Sequence, residues 1–261
     1  LVDKLPVNAI NQAILQAITN KAGNDLTDKQ LISVIDKLAD DVKGADIKNF
    51  IAKGAAKSLT NEVLDKLAGK YAALQGKAGY QAPALADKIA ILQKAGAGKL
   101  EAAKVVALLK HHDNGDSTKA GGAAKAGSMN AANLAIILDL VEDKKLTITD
   151  IKDFYDFTAD GIKVGNIQSI FDHIKPMTSA EFADMFEGGH EAQFEAGAIN
   201  SIAIAKSVVE AIEPDVAITA VAFENFISKC AAAVLDSTVN FQNLVDKLPV
   251  NAINQAILQA I

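Results

Sequence analysis

Arginine is absent from this 261-residue chain: all 26 of its basic residues are lysine. Guanidinium is the usual group for bidentate recognition of phosphate, carboxylate and base edges, so its absence argues against nucleic-acid binding and phosphoryl transfer. The net charge of −6 points the same way, because a mildly acidic surface does not attract a polyanion or an anionic membrane. Trp is also missing, and aromatic residues make up only 5% of the chain. Cysteine occurs once, as Cys230, so no disulfide can form within the chain and the redox compartment stays open. In the run SKCAAAVL, that cysteine reads as a small buried hydrophobe. No apolar run approaches the ~18–20 residues a membrane-spanning helix needs.

What is present is the composition of a folded protein, half apolar and 22% charged. Alanine is abundant, which favours helix, and no segment alternates with period two long enough to require a strand. The fold class expected is all-α, built of short helices in a bundle or superhelical arrangement. Lysine-only, nearly cysteine-free, alanine-rich composition is common among surface or secreted bacterial proteins. An extracellular or cell-surface location is therefore expected, with the cytoplasm as the alternative.

The ends carry the strongest signal. Leu244 to Ile261 copies Leu1 to Ile18 letter for letter, LVDKLPVNAINQAILQAI, which sets a period of 243 residues. Self-similarity at a fixed period marks repeat architectures, and here the period is domain-sized. Three origins are open: a piece of a natural tandem array, an engineered overlap, or a terminal helix that occupies a neighbour's equivalent groove.

A second, diverged repeat lies inside the first. Asn8–Leu15 pairs with Asn130–Ile137, and from Leu26-Thr27 with Leu146-Thr147 the match continues through Asp36 with Asp156, Asp40 with Asp160 and Lys43 with Lys163. Two homologous helical halves follow, at 1–112 and 130–243, separated by a Gly/Ala/Ser/Lys-rich linker at 113–129, with 244–261 opening the next repeat. Thr27 with Gln30, Thr147 with Asp150 and Thr178 with Glu181 have capping-box spacing, in which two residues satisfy each other's free N–H groups at a helix start. Leu-Thr or Met-Thr recurs at 26–27, 59–60, 146–147 and 177–178, a recurrence that fits about three helix–turn–helix units per half.

Candidate chemistry is sparse. His111, His112, Asp113 and Asp116 could offer imidazole and carboxylate to a metal, but they lie where a helix gives way to a linker and lack metal-site spacing. Glu187 and His190 have E-x-x-H spacing without the second copy that a di-metal bundle requires. Ala95–Lys99, AGAGK, lacks the leading Gly and the Ser or Thr of a phosphate loop. Asp113, Gly115 and Asp116 fail the calcium-loop pattern, which needs a terminal Glu. Asp36 and Asp40, like Asp156 and Asp160, are spaced i, i+4 on a helix and read as capping, solvated or paired with Lys43 and Lys163 rather than catalytic. No catalytic, metal or cofactor site is expected.

The copied helix is the candidate site. Ile10, Ala13, Ile14, Ala17 and Ile18 fall on one apolar face, and Ile253, Ile257 and Ile261 repeat Ile10, Ile14 and Ile18. The expected partner is the chain itself, as neighbouring repeats or copies. The function expected is a structural or spacer module of a tandem-repeat protein, self-associating into an array or filament. The alternative is a helical module enclosing an apolar cavity for lipid or another small hydrophobic ligand.

Overall fold

Residue pairs of one design recur along the backbone: an apolar residue just ahead of one helix hydrogen-bonds to the residues flanking the end of the next. The computed structural model describes residues 2–74, 83–109, 130–156, 170–187, 197–213 and 218–235. Two compact units divide the chain, Leu1–Glu142 and Asp143–Ile261. After a 3-10 turn at Val2–Lys4, the first unit contains α1 (Gln12–Lys21), α2 (Asp28–Ile35), α3 (Gly44–Ile51), α4 (Asn61–Leu74), α5 (Leu85–Leu92), α6 (Ala102–Leu109) and α7 (Ala131–Leu140). The second contains α8 (Ile148–Asp156), helical residues 170–173, α9 (Ser179–Glu187), α10 (Ile202–Glu210), α11 (Ala220–Lys229) and α12 (Ala232–Leu235). Among the described residues, extended pairing is confined to isolated parallel bridges. The fold is all-α.

Local chemistry sets the helix starts. Thr27 N–H donates to Gln30 Oε1 at 2.8 Å while Gln30 N–H donates back to Thr27 Oγ1 at 3.4 Å. Thr147 and Asp150 form the same box at 2.9 and 3.1 Å, and Thr178 and Glu181 at 2.9 and 3.2 Å. Asn11 caps α1 and Asn130 caps α7, each side chain accepting from the N–H three residues on. Asn8, paired with Asn130 in the sequence comparison, instead lies in the turn before α1 with φ +62°.

The bridges tie these starts to later ends. Ile10 pairs with Leu38, Leu26 with Gly54, Leu100 with Val141, Leu146 with Ile174, Met177 with Ile212 and Ile199 with Cys230. At the first, Ile10 N–H donates to Lys37 C=O and Ala39 N–H donates to Ile10 C=O, both at 2.8 Å. Such a clip satisfies backbone groups that would otherwise be buried without partners. It also holds the start of α1 beside the end of α2, and successive clips interlock.

Within the first unit, each helix packs on the next but one: α1 on α3, α2 on α4, α3 on α5, α4 on α6 and α5 on α7. Leu15, Leu31, Ile47, Leu64, Leu92 and Val105 are fully or almost fully buried between them; such burial stabilises by roughly 1.5–3 kcal/mol per side chain. The same rows carry polar links: Gln16 to Asp46 at 3.0 Å, Lys66 to Asp36 at 3.0 Å, Lys48 to Asp87 at 2.7 Å and Lys104 to Asp65 at 2.6 Å. Such exposed links are individually weak; two span 30 residues and two span 39, each joining a helix or its cap to the next helix but one. Gly44 opens α3 where a Cβ would stand 2.5 Å from the Pro83 nitrogen, which lets α3 and α5 approach at their first turns. In the second unit, Phe182 and Phe186 of α9 meet Phe223 and Phe226 of α11, with ring centroids 5.0–6.1 Å apart within the cluster.

Two expectations change. Asp36 and Asp40 do not share a helix: α2 ends at Ile35 so that Leu38 can meet Ile10, and the carboxylates bond to Lys66 and Lys70 of α4 instead of Lys43. The compact division falls after Glu142, beyond α7, because Leu100 clips Val141 and α5 packs on α7. Residues 113–129 and 244–261 lie outside the described residues, as do Asp160 and Lys163.

Candidate functional site

Helix α1, which carries residues 12–18 of the first copy, turns two faces in different directions. Its inward face is Leu15 and Thr19, both buried; the Thr19 hydroxyl donates to Leu15 C=O at 2.8 Å, which lets a polar side chain lie in the core. Ile10 is completely buried, but as the bridge residue ahead of α1 rather than as part of a helical stripe. The outward face holds Ala13, Ile14 and Ala17, all exposed, with Ile18 half-buried. Ile14 is 41% exposed and Val7, in the preceding turn, 69%. Thus Ile14 and Ile18 form one stripe, spaced i, i+4, and Ile10 belongs elsewhere. Ile253, Ile257 and Ile261 lie outside the described residues.

The remaining sequence candidates resolve differently. AGAGK at 95–99 is the turn that leads to the Leu100 clip. Gly98, at φ +62°, donates its N–H to Asp139 C=O at 2.9 Å, and the N–H groups of Lys99 and Leu100 donate to Leu140 C=O. These three amides are spent on the last carbonyls of α7 rather than turned toward a phosphate. His111, His112, Asp113, Gly115, Asp116 and His190 lie outside the described residues, and Glu187 closes α9. Among the described residues, no three His, Cys, Asp or Glu side chains converge as a metal site would require. A cleft of about 250 Å³ beside α1 and α3 is lined by Gln16, Thr19, Asn20, Asp46 and Asn49, a polar lining unlike that of a lipid site.

Known proteins offer no guide to these features. No family model, curated protein or solved structure matches the chain.

One unusual residue was missed at the sequence level. Lys88 of α5 is completely buried, and its ammonium donates to Leu108 C=O at 2.5 Å and Leu109 C=O at 3.4 Å, at the end of α6. It also lies 5.4 Å from the centroid of the Tyr71 ring. Burial lowers its pKa from 10.5 to about 7. The available signal was its place between Leu85 and Leu92, on the apolar side of the helix. The Leu108 and Leu109 carbonyls give the buried amine its polar partners in the core. Cys230, the other buried titratable group, forms the bridge with Ile199, and burial pushes its thiol up to about 12. The thiol is held away from solvent as an inert core group. No described helix is long and apolar enough to cross a membrane.

Proposed function

We propose that this chain is one period, slightly exceeded, of a tandem helical array, acting as a structural or spacer module that joins end to end with further copies of itself. The observation that carries this reading is the outward stripe of α1. A segment repeated without change presents Ile14 at 41% exposure and, in the turn ahead of α1, Val7 at 69%. An apolar face of that kind marks a contact surface. Repeat modules bury such faces against their neighbours.

Internal correspondences support the period being two halves of six helices. The N-caps Asn11 and Asn130 match, as do the extended C-caps Ala22 and Val141. The bridge from Leu26 to Gly54 recurs 120 positions on as that from Leu146 to Ile174. Thr60 and Thr178 then precede α4 and α9, and α5 and α6 correspond in order to α10 and α11. In this reading the polar residues serve caps and inter-helix links, and no catalytic step is assigned. The lysine-only composition supports placement at a cell surface.

Light scattering across a concentration range tests the proposal. The molar mass of the purified chain should rise with concentration, and Ile14→Glu should suppress the rise. A constant monomer mass at the highest soluble concentration would overturn it.

A further inference from the structure

We propose that the cleft between α1 and α3 binds a small neutral molecule with adjacent hydroxyl groups, of the size of a single sugar ring, through Gln16, Asn20, Asp46 and Asn49. This site is separate from the end-to-end contact and does not rest on it.

The cleft holds about 250 Å³ and is lined by Gln16, Thr19 and Asn20 of α1 and by Asp46 and Asn49 of α3. Every lining side chain is polar. Gln16 Nε2 donates to Asp46 Oδ1 at 3.0 Å, across the two helices. This bond orients the carboxylate and leaves Asp46 Oδ2 and Gln16 Oε1 as acceptors. Thr19 gives its hydroxyl hydrogen to Leu15 C=O at 2.8 Å, so its oxygen can only accept. Among the described residues, the Asn20 and Asn49 side chains take part in no hydrogen bond, and each amide offers both donors and an acceptor. A fixed carboxylate beside three carboxamides suits adjacent hydroxyls, because each hydroxyl both donates and accepts.

The neighbouring groove shows that packing does not require this lining. Lys48 of α3 bonds to Asp87 of α5 at 2.7 Å as Gln16 bonds to Asp46. In both cases the fifth residue of one helix meets the third residue of the next but one. Counted the same way, Thr19, Asn20 and Asn49 correspond to Ile51, Ala52 and Ala90. The polar trio is therefore particular to the α1–α3 cleft.

The same chemistry narrows the ligand. No lysine lines the cleft, so nothing there offsets the charge of an anion. No aromatic or aliphatic side chain lines it, which leaves a lipid or a flat cofactor nothing to bury against. Asp46 supplies the single carboxylate of the lining, whereas a divalent cation held by protein oxygens draws on several. The volume falls below the roughly 300–1,000 Å³ of sites for larger ligands, so a compact molecule fits. Gln16 lies two residues from Ile14, about 200° around the helix, and the cleft therefore faces away from the apolar stripe.

Heteronuclear NMR titration of the full chain with glucose, galactose, mannose and N-acetylglucosamine, each alone, tests the assignment. At least one sugar should give saturable shifts confined to the backbone amides of 16–20 and 46–49 and the side-chain amides of Gln16, Asn20 and Asn49. The Kd should be millimolar, as expected for a few solvent-exposed hydrogen bonds to a small ligand. Asn20→Ala and Asn49→Ala remove no hydrogen bond of the fold. Each should weaken binding about fivefold or more and leave thermal unfolding near wild type. Calcium is titrated in parallel. Saturation of these amides by calcium alone would overturn the proposal in favour of a cation site. So would the absence of a saturable response at these amides to any of the four sugars, or wild-type affinity in both Asn variants. The array reading is reported separately, by the molar mass of the same samples, and stands or falls without the cleft.

Discussion

The ammonium of Lys88 donates to Leu108 C=O at 2.5 Å and faces the ring of Tyr71, so the one lysine completely buried among the described residues holds the last turn of α6. Its folded pKa, about 7, lies below the ordinary 10.5. Between those values the unfolded chain binds a proton that the folded chain does not, so stability rises with pH across this window. Below about pH 7 both states are charged and the penalty of burying the cation is complete. Lys88→Met should flatten the pH dependence of the urea midpoint between pH 7 and 10 and raise stability at pH 6, by an amount on the order of a few kcal/mol. An unchanged slope in the variant would show that Lys88 stays charged in the fold.

Loss of a capping box has a calculable cost. Thr147→Ala and Thr178→Ala each remove the hydroxyl that accepts from the N–H three residues on. Each also removes a hydroxyl bond to the Asp150 or Glu181 carboxylate. Each should destabilise by about 1 kcal/mol, with Ser restoring most of the loss. Chemical denaturation of the four variants measures this, and two near-neutral Ala variants would mean that the boxes contribute nothing beyond solvation.

Such boxes were legible in the sequence because they are local: Thr and its partner lie three residues apart, and nothing distant is needed to complete them. The all-α class was legible for the same reason. Bridges such as Ile10 with Leu38 were not, since an isolated pair leaves no alternating pattern and depends on two helices already being antiparallel. Periodicity placed Ile10, Ile14 and Ile18 on one stripe, but it could not tell that α1 begins after Asn11, which removes Ile10 from the helix. Nor could it choose which of two apolar faces turns inward: Leu15 and Thr19 take the core, and Ile14 remains outside. Lys88 was passed over because a lone lysine in LADKIAIL is normally a solvated side chain. Its burial depends on α6 bringing the Leu108 and Leu109 carbonyls within reach.

Cys230 should behave as core rather than as a reagent. It is 8% exposed, its Sγ lies 3.6 Å from Phe226 C=O, and burial raises its pKa to about 12. Thiolate is the reactive form, so labelling by a disulfide reagent at pH 8 should be at least a hundredfold slower in buffer than in strong urea. Rapid labelling of the native chain would show that the Ile199–Cys230 bridge opens readily.

Phe226 sits at the centre of the second unit's aromatic cluster, with ring centroids 5.9 Å from Phe182, 5.5 Å from Phe186 and 6.1 Å from Phe223. It is completely buried, so truncation leaves a cavity between α9 and α11 that its neighbours can fill only in part. Phe226→Ala should cost about 3–5 kcal/mol. Phe226→Leu, which keeps most of the volume and loses the edge-on ring contacts, should cost markedly less. Because the core of the first unit is built from other residues, hydrogen exchange should separate the two units. Amides of α9 and α11 should lose protection in Phe226→Ala, while those around Leu64 and Val105 keep theirs. Equal loss in both units would show that they unfold as one cooperative block, and that the division after Glu142 has no energetic counterpart.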